Sequence, residues 1–380
     1  MHIGLFSDAY LPEISGVTTT VHWLKEELEN QGHVVYVYAP QYEGIKEDEP
    51  GVFRFHSGRF AFHKASRVAL PYSRAATRSF KELDIVHSHT PFSMGLVAVG
   101  AATRHHLPHV NTYHTHLIED RKYLPRGLRP REQEAEKIIA AFCNRCTLIT
   151  APSTPFKEEL ESYGVHRPIR VFPFGVKLSL FRQPPTWDPR SELNIPREAK
   201  LFLYAGRLAM EKNLPFLLDA YEKIHAQDPT SVLVLAGDGP LRERTQEQVK
   251  EMGIADAVRF TGFLDHPRLV DLYKAADLFL FASKTETQGL VLVEAMAAGT
   301  PAVAIGALGV LDVIQNGVSG ILVPEDEEVF VEQALALAND EERRSLLRQG
   351  ALATAEKLST HNSTLRLLEV FDECLNGSLS

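Results

Sequence analysis

The sequence predicts an α/β fold of two Rossmann-like domains, each built on a parallel sheet, with the two sheets facing across a cleft. Three observations carry this expectation. A chain of 380 residues is too long for one ordinary core and fits two domains of about 180 residues each. The first 40 residues read as strand, loop, amphipathic helix and strand, with His2 to Phe6 first, the loop from Ser7 to Val17, a helix ending near Gly32, and Val34 to Ala39. Such a βαβ unit implies a parallel sheet. The same order restarts at Leu201 to Ala205, after a stretch from Pro173 to Pro189 whose prolines and breakers read as a linker.

Composition narrows the class. Hydrophobic residues make up 44% and charged residues 23%, the balance of a soluble globular protein. No run of about 18 apolar residues could span a bilayer. The strand-like start lacks the basic and apolar regions of a signal peptide, so a cytoplasmic chain is expected. Cys143, Cys146 and Cys374 make no disulfide framework, and the Cys143-x-x-Cys146 pair has no second pair to complete a zinc site, so both read as packing residues. The net charge of −9 hides an asymmetry: residues 1–183 hold 22 Lys and Arg against 19 Asp and Glu, the rest 18 against 30. That acidic second half argues against a nucleic-acid partner and leaves room for a basic patch in the first.

In the first half, the loop after the first strand has no Gly-x-Gly-x-x-Gly. Ser15-Gly16-Val17 stands there, and Gly16 can let the backbone approach a phosphate or sugar. Leu83 to Val86, His109 to Thr112, Leu148 to Ala151 and Ile169 to Phe172 read as further buried strands. His114 follows one of them, where an imidazole can meet a sugar hydroxyl or a departing phosphate; His87 and His89 follow another. Two segments have basic side chains and no acid. Residues 51–81 hold Arg54, Arg59, Lys64, Arg67, Arg74, Arg78 and Lys81 among Phe53, Phe55, Phe60, Phe62 and Tyr72; residues 121–131 hold Arg121, Lys122, Arg126, Arg129 and Arg131 with Tyr123. Basic residues mixed with aromatics suit a segment lying on anionic lipid, at about 1 kcal/mol per basic side chain near the surface. The alternative is a set of solvated faces with the aromatics turned inward.

In the second half, Gly206-Arg207-Leu208-Ala209-Met210-Glu211-Lys212-Asn213 follows a strand directly. Its two cations can converge on a pyrophosphate, Arg207 as a planar fork and Lys212 as a point charge. Val232 to Ala236 and Val258 to Thr261 continue the sheet, the latter leading to Phe263. From Phe279 to Ala304 a buried strand, a polar turn and an apolar helix restarting at Gly289 make a ligand-binding edge, with helix amides offered to an anion. Glu286 and Glu294 frame the turn. On one continuous helix they would lie about 12 Å apart, too far to act together on one bond. Two carboxylates that each suit a vicinal diol, with cations between, describe a nucleotide-sugar.

Glu286 and Glu294 with seven residues between them, then Ala-Met-Ala-Ala-Gly-Thr-Pro from Ala295, together with Gly16, His114 and Arg207 to Lys212, closely resemble the donor-site signature of GT4-type retaining glycosyltransferases. The resemblance spans nearly the whole chain and implies GT-B architecture: an acceptor-binding domain over 1–176, joined by a final helix over about 362–380, and a donor-binding domain over 177–361. It implies that Arg207 and Lys212 neutralise the donor diphosphate, that Glu286 and His114 hold the sugar, and that Glu294 holds the ribose. It also places Phe263 in the base loop and Thr287, Gln288, Gly289 and Leu290 along the donor. Ser15 departs from the Gly-Gly common in the family, which leaves Gly16 as the contact. None of the 16 Asp forms an Asp-x-Asp, so the reaction is expected to need neither metal nor other cofactor.

Thr285 to Leu290, His87-Ser88-His89-Thr90-Pro91 and the opening Phe-Ser-Asp-Ala-Tyr-Leu-Pro resemble the version in bacterial diacylglycerol glucosyltransferases. This implies glucose transfer from UDP-glucose to a membrane lipid by an enzyme bound peripherally to the inner face of the cell membrane. A GDP-mannose-dependent mannosyltransferase and a nucleotide-sugar epimerase remain as rivals, and the sequence leaves the oligomeric state open.

Overall fold

The structure is a computed structural model. It describes residues 1–13, 15–45, 49–59, 67–114, 118, 121, 127 and 129–378. The chain divides into two units, Met1–Phe174 with Thr360–Ser380, and Gly175–Ser359. Each contains a parallel sheet flanked by helices, so the predicted α/β class holds for both.

The first unit's sheet uses β1 (His2–Phe6), β2 (Val34–Pro40), β3 (Val52–Phe55), β6 (Ile85–Ser88), β7 (His109–Thr112), β8 (Leu148–Ala151) and β9 (Ile169–Val171), in the order β3-β2-β1-β6-β7-β8-β9. All neighbours run parallel, with His2 opposite Val34 and Ile3 opposite Ile85. Strands covered on both faces read as continuous apolar runs, which is why most were visible in the sequence. β3 was not: Arg54 interrupts its apolar pattern, and the segment was expected on lipid. Instead Phe55 is buried, and Phe53 stacks on Tyr38 at 5.3 Å between centroids. Beyond it, β4 (Ser57–Arg59) and β5 (Arg67–Ala69) pair antiparallel. The strand expected at Leu83 to Val86 begins two residues later, since Leu83 closes the 3-10 turn Phe80–Glu82 with its amide on the Phe80 carbonyl. That shift moves His87 into the sheet, where it is fully buried.

Phe6, Tyr38, Phe55, Phe80 and Met94 form one core of this unit. Full burial of such side chains contributes about 1.5–3 kcal/mol each. The last helix, Thr360–Asn376, packs on the first, Gly16–Asn30: His361 Nδ1 lies 2.8 Å from Glu27 Oε1. Its Phe371 ring meets His87 edge-on at 5.4 Å.

The second unit's sheet runs β12-β11-β10-β13-β14-β15 and is likewise parallel. Its strands are β10 (Leu201–Ala205), β11 (Val232–Ala236), β12 (Val258–Gly262), β13 (Leu278–Phe281), β14 (Ala302–Ile305) and β15 (Ile321–Val323). Phe202, Leu217, Leu233, Leu280 and Phe330 belong to its core. Part of the stretch expected as a linker is strapped to this unit. Leu178–Phe181 is a helical turn, and the Thr186 and Trp187 amides donate to Asp271 Oδ2 at 2.9 and 3.0 Å.

Strand order reverses between β1 and β6 in one sheet and between β10 and β13 in the other. At such a reversal the connecting helices leave on opposite faces, which opens a crevice beyond the strands' carboxyl ends. The loops after these strands carry most of the candidate residues.

Candidate active site

In the second unit the loop after β10 and the loop after β13 are laced together. Lys212 Nζ sits 2.5 Å from Glu286 Oε1, and both side chains are mostly buried. Arg207 Nη2 lies 2.6 Å and Nε 3.2 Å from Glu211 Oε1. The Glu211 carbonyl accepts from Ser283 Oγ at 3.1 Å and Thr285 Oγ1 at 3.4 Å, which fixes the Arg-to-Lys segment against the turn that bears Glu286. Glu286 is held at its backbone too, where its carbonyl accepts from the Gly309 amide at 3.1 Å. A side chain at Gly309 would collide with the Thr287 carbonyl, so only glycine permits this approach. Beneath lies Tyr204, whose hydroxyl donates to the Arg207 carbonyl at 3.0 Å. Burial first, and the charges of Glu286 and Glu211 next, push its phenol well above the usual range and keep it a donor.

Gly289 is the N-cap of the helix Leu290–Ala297, with φ +81°, a left-handed conformation that favours glycine. Gln288 and Gly289 are buried, while Thr287 and Leu290 are half-buried. The helix N-terminus therefore opens beside the Lys212–Glu286 pair, and its dipole favours an anion there. One helical turn on, buried Glu294 accepts from Tyr273 OH at 3.0 Å on Oε2 and lies 3.3 Å from His266 Nε2 on Oε1. Phe263 is exposed just past β12, three residues before His266. The structure thus gathers Arg207, Lys212, Glu286 and Gly289 at one place, and Glu294 at a second place on the same helix. Glu211, Tyr273 and His266 were missed by sequence reasoning. Only Glu211, four residues from Arg207, gave a signal there.

In the first unit His114 lies two residues past β7, half-buried, with its ring 5.0 Å from that of Phe174. Burial alone lowers its pKa to about 3, so the imidazole is neutral. Its Nε2 lies 2.9 Å from His89 Nδ1. His87, in β6, bonds through Nε2 to Thr112 Oγ1 at 2.7 Å. Gly16 is the first residue of its helix, and a Cβ there would meet nothing within 4 Å, so packing does not demand a glycine. Ser15, the family departure, caps that helix: its hydroxyl accepts from the Thr18 amide at 3.2 Å, as serine before an amphipathic run does.

The basic segments are corrected in part. Arg54 donates to the Pro40 carbonyl at 3.1 Å and to the Leu11 carbonyl at 2.9 Å, and lies over the Tyr10 and Tyr42 rings. Arg67 donates to Ser57 Oγ at 2.7 Å, and Arg121 to the Ile118 carbonyl at 3.0 Å and Glu132 Oε2 at 2.9 Å. These three guanidiniums are engaged by protein acceptors, a backbone carbonyl, a hydroxyl or a carboxylate, instead of turning outward to lipid. Arg59 contributes its backbone to β4, while Lys64, Lys122 and Tyr123 lie outside the described residues. Apolar Leu70, Tyr72, Phe92 and Leu96 are each more than half exposed, and Arg74 and Arg78 of the same stretch face outward too. The Ala69 amide donates to Ser93 Oγ at 3.0 Å and joins the two segments that carry them. Among the described residues no helix is long and apolar enough to cross a membrane.

The family described as "Glycosyltransferase Family 4" matches residues 14–180, and that described as "Glycosyl transferases group 1" matches residues 186–353. The chain is 34% identical to the alpha-monoglucosyldiacylglycerol synthase of Streptococcus pneumoniae (strain ATCC BAA-255 / R6), over 85% of this chain and 75% of that protein. It is 31% identical to the protein of the same name from Acholeplasma laidlawii, over 87% and 86%. A GDP-mannose-dependent alpha-mannosyltransferase of Corynebacterium glutamicum is 28% identical over 85% of this chain and 76% of that protein. Among solved structures, Anabaena Alr3699/HepE in complex with UDP and glucose superposes with a TM-score of 0.80 at 19% identity, covering 98% of this chain and 100% of that one. Sucrose-phosphate synthase from Thermosynechococcus elongatus gives 0.78 at 21% identity, covering 99% of each. At these identities the two structures bear on the fold.

Proposed function

The chain belongs to the family 4, group 1 glycosyltransferases of GT-B fold, and from that premise we propose that it moves glucose from UDP-glucose to diacylglycerol, with retained anomeric configuration and without a metal. The observation that carries the donor half is the Lys212–Glu286 pair at the mouth of the Leu290–Ala297 helix. An ammonium has three protons, so Lys212 can keep Glu286 and still donate to a phosphate oxygen. As the glycosidic bond breaks, negative charge grows on the leaving diphosphate. Lys212, Arg207 and the helix amides, already fixed in place, bind that state more tightly than the ground state.

In this reading Glu286 accepts from hydroxyls of the transferred sugar, His114 donates to the same sugar, and Glu294, oriented by Tyr273, accepts from the ribose diol. Gly16 leaves open space for the donor's close approach, Phe263 lies at the base, and Thr287, Gln288 and Leu290 line the sugar-diphosphate. The names of the two alpha-monoglucosyldiacylglycerol synthases, at 34% and 31% identity, support diacylglycerol as acceptor and glucose as the sugar, while relatives at 31–32% named D-inositol 3-phosphate glycosyltransferase make a soluble acceptor the rival to test. A peripheral position on the inner face of the cell membrane is supported by the exposed Leu70, Tyr72, Phe92 and Leu96 with Arg74 and Arg78, a combination that suits an anionic lipid surface.

The deciding experiment incubates the protein with radiolabelled UDP-glucose or GDP-mannose, in vesicles containing diacylglycerol or phosphatidylinositol. Labelled α-glucosyldiacylglycerol formed from UDP-glucose alone is expected. Mannose transfer to phosphatidylinositol, or equal transfer to a water-soluble glycan, contradicts the reading.

A further inference from the structure

We propose that His89 is the positioning residue for His114: its Nδ1–H donates to His114 Nε2, which fixes His114 as the Nδ1–H tautomer and makes that nitrogen a hydrogen-bond donor. The proposal rests on the reading of His114 as the group that meets the transferred sugar, and it adds which nitrogen does so and what sets it.

The two rings stand just past the carboxyl ends of adjacent parallel strands, His89 one residue after β6 and His114 two after β7, whose Ser88 and Asn111 lie opposite each other. Nδ1 of His89 and Nε2 of His114 are 2.9 Å apart, the ring centroids 5.2 Å apart and the planes only 19° from parallel. A nitrogen separation so much shorter than the centroid separation means that the rings meet edge to edge, almost in one plane. That is the alignment an N–H···N bond requires, because the lone pair lies in the ring plane. The His89 backbone is fixed by its own amide, which donates to the Phe6 carbonyl at 2.9 Å, and its ring packs against His87 at 4.2 Å.

Burial holds both imidazoles neutral, so each carries one ring proton. Two arrangements then satisfy the bond. If His114 donated, the His89 proton would sit on Nε2, a buried nitrogen with no partner among the described residues. If His89 donates, that nitrogen keeps only a lone pair. Orphaned buried N–H groups are the rarer of the two in native structures, which favours the second arrangement. Packing alone does not explain the residue, since a leucine would fill the same volume without leaving a buried nitrogen unsatisfied.

The test uses full-length protein labelled with 15N-histidine. Long-range 1H–15N spectra of the unmodified chain should show His114 protonated on Nδ1, and an Nε2–H pattern overturns the proposal whatever the activity. His89→Asn places an amide N–H where Nδ1 stood, whereas His89→Leu places a methyl there. The first should keep the Nδ1–H signature and turnover within about threefold. The second should lose the signature and about tenfold in kcat, with the KM for UDP-glucose within about threefold. Equal loss in both variants with an unchanged His114 tautomer also overturns the proposal. Full turnover by His114→Ala would instead overturn the role given to His114, while the wild-type spectrum still decides the tautomer.

Discussion

The two units hold their candidate groups by opposite means. In the first, neutral imidazoles pack among hydroxyls, with His87, His89 and His109 buried and His114 half-buried, and all four sit below the usual histidine range because burial disfavours the charged form. In the second, charges are kept and paired: Lys212 with Glu286, Arg207 with Glu211. The difference follows from what each is proposed to meet. Sugar hydroxyls are recognised by neutral donors at little desolvation cost, whereas a diphosphate needs cations whose own charge has been kept in place by carboxylates.

Removing a charge from the second unit should have the largest effect. Lys212→Ala is expected to lower kcat about a thousandfold, about 4 kcal/mol, with unchanged thermal unfolding, measured by initial rates of radiolabelled transfer. A loss under tenfold would remove the contrast between the units.

Acid should strike the first unit harder. A histidine whose folded pKa lies below its unfolded one costs nothing above pH 6.5. As pH falls below that value the unfolded chain takes up a proton that the folded chain refuses, so stability drops. Between pH 6.5 and 5.5 this amounts to about 1 kcal/mol per histidine, or about 3–4 kcal/mol for the four. Asp8, whose carboxyl burial raises, opposes them by one proton at lower pH. The chain has two tryptophans, Trp23 in the first unit and Trp187 in the second. Urea unfolding followed by Trp23 in Trp187→Phe should shift to lower urea at pH 5.5, and unfolding followed by Trp187 in Trp23→Phe should shift less. Equal shifts would break the comparison.

The smallest effect is expected at the exposed pair. Glu211→Gln removes one partner of a guanidinium that is nearly half exposed, and such pairs contribute under about 1 kcal/mol, so turnover should change by less than about fivefold. A hundredfold loss would make Glu211 as indispensable as Lys212 and sharpen the site around it.

The same contrast explains what could be read from the sequence. Strands buried on both faces announce themselves as apolar runs, and β7, β8, β10 and β11 stand at the expected residues. So does the turn into the Leu290–Ala297 helix, because a left-handed cap must be glycine or pay in strain. Side chains whose partners are far along the chain gave no signal. Arg54 reads as a surface cation until its bond to the Leu11 carbonyl, 43 residues away, is seen. His89 meets His114 across 25 residues and Tyr273 meets Glu294 across 21, and neither spacing is a local pattern. Composition made residues 51–59 look like lipid-facing chain, while tertiary pairing made Val52–Phe55 an edge strand.

Fixed cations and helix amides in place of a bound ion are the centre of this account. Turnover measured with UDP-glucose and diacylglycerol vesicles, after exhaustive treatment with EDTA, tests it most directly. The account predicts an unchanged rate that added Mg2+ does not raise; loss of activity in EDTA with recovery in Mg2+ would contradict it.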